Sequence, residues 1–458
     1  MESNTEISNE EILKKEEEEL NKNLSNDEQL KKYLDFKKNY NLLINKISVI
    51  FPKIKTKIFS KILKSYRIEY KNIHNIKHND TNDENTFITK FDYNEENLKI
   101  VNDLLSNNLT PEEKKIPFKL SEEKINIKEE NYTYDEFLKL YFKEINEPFD
   151  SIPGGFEIIG KIAHLNLRDN FIKYKYVIGQ LIIDKNPGIK TVVNKVGKIE
   201  NVYRTYNMEI LAGKVDYNVE HKEGNCLFKF DLRYTYWSSR LQGERDRVLK
   251  LIKNNEILCD AFCGVGPLSL RACKKGIKVF ANDLNPSCFK YLNNNIIINK
   301  INKDLIHTYN MDARDFIKTL IEKTKHLIND DEDNLDNNFP HDVHIDHIYM
   351  NLPKDAIEFL DVFIGLFKGC KENIYNKDNL PIVHVYGFAK TNSDSDPIEE
   401  LKMRIAKSFK IDYNLFKEKC EKDILNIENV RDISNKKVVF CIDMKIPYII
   451  GFKLYDLK

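Results

Sequence analysis

From Glu256 onward the chain alternates. Short apolar runs (EILCDAF, KVFAND, LIHTYN, HIYMNL, PIVHVYGF) are separated by stretches with helical spacing (LSLRACKKG, CFKYLNNNIIINK, FIKTLIEKT, AIEFLDVFIGLFKG). A strand covered on both faces reads as an unbroken apolar run, and parallel strands need a crossover, usually a helix. The alternation therefore predicts a doubly wound α/β sheet that binds ligands at the carboxyl ends of its strands. The closing run KKVVFCIDMKIPYIIGFKLY is expected to add two more strands.

The chemistry sits at those strand ends. The first strand runs into Asp260-Ala261-Phe262-Cys263-Gly264-Val265-Gly266-Pro267. Gly264 and Gly266 permit a tight turn and close approach to a ligand, and Pro267 suits a first helical turn. The third glycine of a dinucleotide fingerprint is replaced by Ser269. Asp283 ends the second strand, 17 residues after Gly266, where an acid can accept from both ribose hydroxyls of an adenosine ligand. Leu284 follows it. After the third strand comes Met311-Asp312-Ala313, with an acid suited to an adenine amino group. With no phosphate to cradle, the set points to S-adenosylmethionine rather than a dinucleotide. The plain alternative is a strand–turn–helix junction with surface acids. The fourth strand stops at Asn351-Leu352-Pro353-Lys354, which on its own reads as a turn.

Upstream, FEIIG, KYVIGQLIID, TVVNKV, MEILAG and CLFKFDL carry strand signals and predict an α+β domain over 150–235, ahead of the α/β domain at 236–458. An acidic stretch near 329–346 reads as an insertion, and His341 and His344 within it as solvated rather than metal-binding. Residues 31–149 form an N-terminal domain, with an Asn- and Asp-rich linker or insertion at 72–97. The first 30 residues hold ten acids against three lysines and read as a charged, disordered segment or a frayed helix.

Composition narrows the partners and the compartment. Lys+Arg and Asp+Glu both number 72, so overall charge names no partner; between Lys161 and Glu200, however, eight basic residues face three acids. No apolar run is long enough to span a bilayer, so no membrane partner is expected. The eight cysteines include no C-x-x-C pair, which argues against zinc and a disulfide framework and for a reducing compartment. The acidic N-terminus, without arginine before Arg67, is unlike a mitochondrial presequence. A cytoplasmic or nuclear location is expected, with the mitochondrial matrix left open.

The runs DAFCGVGPLSL, NDLNP, NMDARDF, YMNLPKDAIEFLD and HVYGF occur in this order. Upstream lie FEIIGKIAHLNLRDNFIKYKYVIGQLIIDKNPGIKTVVNKV, NVYRTYNMEILAG and DLRYTYWSSRLQGERDRV. Together they resemble the eukaryotic and archaeal tRNA (guanine-N1)-methyltransferases that act on guanosine 37, beside the anticodon. The likeness covers roughly 150–452 and weakens in the N-terminal third. It implies a Rossmann-like class I methyltransferase domain, preceded by an α+β RNA-recognition domain and a small N-terminal domain. It also implies S-adenosylmethionine as methyl donor, tRNA as substrate, transfer without a metal, and a product that protects the reading frame. A monomer is expected.

The resemblance also carries roles to residues. Guanine N1 holds a proton at neutral pH, so its methylation needs a base, stabilisation of charge developing on O6, and alignment. Glu244 matches the general base, although a carboxylate is intrinsically weak for this task. Arg240 lies four residues earlier, on the same face if the segment is helical; the bland reading is a surface ion pair worth ~0.3–0.5 kcal/mol. Arg204 matches an arginine that reaches the guanine, and a guanidinium suits O6. The Asn351 amide, both donor and acceptor, would grip the base edge, with Pro353 shaping the pocket wall. Asp260, Gly264, Gly266, Asp283, Leu284, Asp312 and Ala313, with Arg240 and Asn351, are the expected cofactor contacts. Tyr236 and Trp237 read as aromatic packing or a base-stacking pair, and His384 and Tyr386 as core or pocket lining. Two other readings stay open: an aminocarboxypropyl transferase of wybutosine synthesis, and a tRNA-binding protein without catalysis.

Overall fold

The structure, a computed structural model, describes residues 9–79, 81–148, 152–153, 155–197, 203, 205–323, 343–390, 396–434 and 437–454. Contacts divide the chain into two units. One comprises 1–156, 163–194 and 209–216; the other comprises 157–162, 195–208 and 217–458. The segment expected to be a separate domain at 150–235 is thus shared between the two units.

The first unit is built on an antiparallel sheet with spatial order Ile76–His78, Glu84–Asp92, Leu42–Pro52, Lys119–Ile127. Val49, Phe51 and Phe87 of this sheet pack with Phe59 and Leu63 of helix Thr56–Leu63 and with Val101 and Leu105 of helix Glu95–Asn108. Two expectations are corrected here and a third is narrowed. The stretch at 72–97 is no linker, because ENTFITKFD forms a strand with Phe87, Ile88 and Thr89 buried; the polar residues of its flanking turns hid the strand. Residues 9–26 form a helix, the second of the two expected states for this charged segment, with Leu13, Leu20 and Leu24 along one stripe and Leu20 buried. Residues 1–8 lie outside the described residues. Finally, KYVIGQLIID is helix Lys175–Lys185, not a strand. Tyr176, Val177, Ile178, Leu181 and Ile182 are all buried and no residue of the helix is exposed, so its apolar run imitates a buried strand.

The second unit carries the expected sheet. Its elements are α1 (Gln242–Leu251), β1 (Ile257–Asp260), α2 (Ser269–Lys274), β2 (Lys278–Asn282), α3 (Pro286–Ile298), β3 (Ile306–Tyr309) and α4 (Ala313–Glu322). They continue with β4 (His347–Met350), β5 (Ile382–Lys390), α5 (Pro397–Ser408), α6 (Tyr413–Lys419), β6 (Ile424–Ser434) and β7 (Lys437–Lys445). The spatial order is β3-β2-β1-β4-β5-β7-β6. Strands β1 to β5 run parallel, and β7 is antiparallel to both β5 and β6. The order reverses between β1 and β4, where such sheets open a crevice at their carboxyl ends. The two closing strands are β6 and β7. The final PYIIG, expected as a strand, is instead a helical turn, Tyr448–Gly451, entered through Pro447. The stretch after β4 is a 3-10 helix, Ala356–Phe363. Most of the acidic insertion, with His341, lies outside the described residues.

Both faces of the central strands are buried, but they differ chemically. Ile348, Met350, Val383, Val385, Ile442 and Met444 face an apolar core with Phe316 and Leu320 of α4 and Leu401 and Ile405 of α5. The alternate positions hold His347, Tyr349, His384, Tyr386, Cys441 and Asp443, and every one of them is buried. A hairpin of Asn218–Glu223 and Cys226–Asp231 precedes α1. The Asn299 amide, just past α3, donates to Leu227 O and accepts from Leu227 N, and Asn295 accepts from Lys229 N. These bonds satisfy backbone groups that an edge strand would leave open.

Candidate active site

The turn after β1 requires its glycines. Gly264 and Gly266 have φ of +56° and +88°, a region that disfavours any side chain. A Cβ on Gly266 would stand 2.4 Å from Leu270 Cδ1 and 2.6 Å from Leu292 Cδ1, so the turn sits directly on α2 and α3. A Cβ on Gly264 would meet nothing within 4 Å, so that side of the turn is open. Gly264 N donates to Asp283 Oδ2 at 2.8 Å, and Asn285 N to Asp283 Oδ1 at 2.9 Å. Burial pushes the Asp283 carboxyl up, and these two backbone bonds oppose it. Buried Asn282 ties three strand ends together: its amide donates to Ala261 O and Met311 O and accepts from Met311 N. Asp312 caps α4 by accepting from Arg314 N at 2.8 Å, and Ala313 is buried behind it. Leu284 is exposed.

Asp260 is the anomaly of this cradle. It is 1% exposed; Ser269 Oγ donates to its Oδ2 at 2.6 Å, and its Oδ1 has no partner. Burial pushes its carboxyl up to about 7. An orphaned buried carboxylate oxygen is costly, and it suits a cationic or hydrogen-bonding ligand.

A second cluster lies under α1. Glu244 is 8% exposed, so the exposed-pair reading does not describe it. Its partner is Arg247, one turn on, rather than Arg240, which is exposed. Arg247 Nε donates to Glu244 Oε2 and its Nη2 to Oε1, each at 2.8 Å, while the Tyr386 hydroxyl donates to Oε1 at 2.6 Å. The Tyr349 and Tyr386 rings meet edge to face with centroids 5.4 Å apart, and Asn351 Nδ2 donates to Tyr349 Oη at 3.0 Å. Glu244 and Asn351, over a hundred residues apart in sequence, are thus joined through two buried tyrosines. Pro353 is half-buried, and its carbonyl accepts from Phe388 N at 3.1 Å, fixing the turn against β5.

Other candidates are placed more simply. Arg204 lies outside the described residues. Trp237 packs among Phe228, Phe230 and His221, whereas Tyr236 is exposed. Of the basic stretch, Lys173, Lys175 and Lys185 are bound to Glu147, Glu209 and Glu129. No cluster able to hold a metal occurs among the described residues. Arg247 and Asp443 went unsingled in the sequence. The available signal was a repeated polar alternation, His-x-Tyr in β4 and again in β5 and Cys-x-Asp in β7, inside strands otherwise apolar.

Known proteins resemble this chain along most of its length. Residues 219–330 match the TRM5/TYW2 methyltransferase domain, and 139–216 match the TYW2 N-terminal domain. The tRNA (guanine(37)-N(1))-methyltransferase of Batrachochytrium dendrobatidis is 39% identical over 360 residues, 73% of this chain and 72% of that one. The protein of that name in Candida albicans is 37% identical, covering 70% of this chain and 76% of its own. Trm5b from Pyrococcus abyssi aligns in structure with a TM-score of 0.58 and 25% identity, across 88% of this chain and all of that one. On this similarity the chain belongs to the tRNA (guanine(37)-N1)-methyltransferase family.

Proposed function

We propose that this chain transfers the methyl group of S-adenosylmethionine to N1 of guanosine 37 in tRNA. The observation that carries the reading is the joining of Glu244 and Asn351 through Tyr349 and Tyr386, beside the crevice where the sheet order reverses. The cradle fits the cofactor: Gly264 leaves space, Asp283 and Asp312 can accept from an adenosine, and Asp260 Oδ1 awaits a partner. When bound, S-adenosylmethionine supplies an electrophilic methyl on a sulfonium. Everything else falls to the chain. Asn351 holds the base edge, and Pro353 fixes the wall behind it. Glu244 Oε2 accepts one bond from Arg247 and keeps a lone pair for the N1 proton. Glu244 takes the N1 proton, which frees the nitrogen electron pair for the methyl; the cofactor would release that methyl as its sulfur–carbon bond breaks and the bonding pair stays on sulfur. The Tyr386 hydroxyl, pushed well above the ordinary range by burial, stays protonated and keeps donating to Glu244. Eight free cysteines, seven of them buried, support a reducing compartment such as cytoplasm, nucleus or mitochondrial matrix.

The test is direct. Protein incubated with labelled S-adenosylmethionine and an unmodified tRNA transcript carrying guanosine 37 should yield N1-methylguanosine at that position, identified by nucleoside mass spectrometry. Label transferred as an aminocarboxypropyl group would favour the second reading, to which the N-terminal-domain match at 139–216 lends support. Binding of tRNA without transfer would leave a non-catalytic protein.

A further inference from the structure

Glu244 is the near end of a longer buried chain of polar groups. Arg247 bridges two carboxylates: its second edge donates Nη1 to Asp443 Oδ2 at 2.7 Å and Nη2 to Asp443 Oδ1 at 3.3 Å. His384 Nδ1 stands 2.6 Å from Asp443 Oδ1, and its Nε2 3.0 Å from His347 Nδ1. His347 Nε2 lies 3.1 Å from Glu256 Oε2, before β1. Asp443 and His384 are register partners on β7 and β5, so the sheet itself sets this spacing.

Burial and the neighbouring His384 push the His347 imidazole below its ordinary range, against the pull of Glu256. Glu244 and Asp443 share one guanidinium, that of Arg247. Burial would raise the Asp443 carboxyl, but its bonds to His384 and Arg247 prevail and hold it well below the usual carboxylate range. Asp443 therefore stays ionised and keeps a share of the Arg247 charge that Glu244 would otherwise take whole.

We propose that Arg247 and Asp443 are positioning residues that set the basicity of Glu244, with Asp443 drawing Arg247 partly away so that the fork orients Glu244 without neutralising it. This rests on the reading of Glu244 as the base. The groups facing Glu244 are Arg247 from its own helix, Tyr386 and His384 from β5, Cys441 and Asp443 from β7, and Tyr349 from β4 through Tyr386. Of these, Arg247 is the cation bonded directly to the carboxylate, and Asp443 is the anion that competes for it.

The experiment is the pH dependence of single-turnover methyl transfer by full-length protein, with cofactor affinity measured by calorimetry as the check on folding. Arg247→Met should move the acid limb of the profile up by about one pH unit, and Asp443→Asn should move it down, as expected for charges at this range. Arg247→Lys keeps the charge but loses the fork, so the rate should fall at least tenfold with the limb near its wild-type position. A scaffolding role alone would lower rates without opposite displacements, and that result overturns the proposal. Glu244→Gln separates the two ideas. If it retains the limb, the base assignment itself fails. If it abolishes the limb while Arg247→Met and Asp443→Asn leave theirs in place, the base stands and this proposal alone fails. Should either variant not fold, Arg247→Lys still decides: a displaced limb with an unchanged rate contradicts the proposal.

Discussion

Asp260 links burial, proton affinity and ligand binding in a single side chain. Its carboxyl is pushed up to about 7 by burial, from an ordinary 3.8. Through that interval the folded chain holds a proton the unfolded chain has lost, so stability falls as pH rises and the contribution is complete only below the lower value. Asp260→Asn should escape this loss. Its thermal stability without ligand, relative to wild type, should improve by on the order of 1–3 kcal/mol between about pH 5 and pH 8. A cationic ligand favours the ionised form, so wild-type affinity for S-adenosylmethionine should climb over the upper part of that range and stay flat in the variant. Calorimetry showing parallel curves would remove Asp260 from the cofactor's neighbourhood. The sequence made Asp260, Gly264 and Asp283 legible because a strand end followed by Gly-x-Gly leaves few alternatives. It left Arg247 and Asp443 hidden, since an arginine in a charged helix and an aspartate in a strand say nothing until their partner is known. Glu244 shows the same limit: spacing suggested Arg240, but the turn of α1 places Arg247 on the buried side.

At the scale of elements, helix α1 is fixed to its surroundings by ion pairs as much as by apolar contact. Glu223, at the end of the hairpin strand Asn218–Glu223, is 1% exposed. It accepts from Arg245 of α1, with Nε at 2.7 Å, and from Arg271 Nη1 of α2 at 2.9 Å. Arg271 also binds Asp246 of α1, and the Arg245 guanidinium lies 5.4 Å from the Trp237 ring centre. Removing one member of a buried set leaves uncompensated charge and costs about 3–5 kcal/mol, while an exposed pair contributes less than about 1 kcal/mol. Glu223→Gln should therefore lower the denaturant midpoint far more than Lys229→Ala, which breaks the exposed Lys229–Glu220 pair. Equal effects would show that hairpin and helices hold together by apolar packing alone. Element type was legible for most strands and helices of the α/β sheet. It was hidden at Lys175–Lys185, where burial on every side erases the helical period, at Glu84–Asp92, which polar turns flank, and at Tyr448–Gly451, a short apolar run that turns helical after Pro447.

At the scale of the whole molecule, equal numbers of acids and bases remove any long-range pull toward a polyanion, so tRNA must be held by local charge. The sequence marked Lys161–Lys198 as the basic stretch, but not how much of that charge is available. Lys185, whose side chain is 6% exposed, lies 2.5 Å from Glu129; Lys173 lies 2.7 Å from Glu147, and Lys175 is bound to Glu209. Lys161, Arg168 and Lys190 are exposed. A lysine already paired within the protein releases few counterions on binding, whereas a solvated one that meets a phosphate steepens the salt dependence by ~0.7–0.9 in the log–log slope. Replacing Lys173, Lys175 and Lys185 with alanine should leave that slope nearly unchanged, although it will cost stability. Replacing Lys161, Arg168 and Lys190 should lower it, by roughly that increment for each residue that reaches the backbone. Filter binding of an unmodified transcript across a salt series distinguishes the two sets. If the first set flattens the slope instead, the internal ion pairs must open on binding, and the basic stretch would act as the sequence alone suggests.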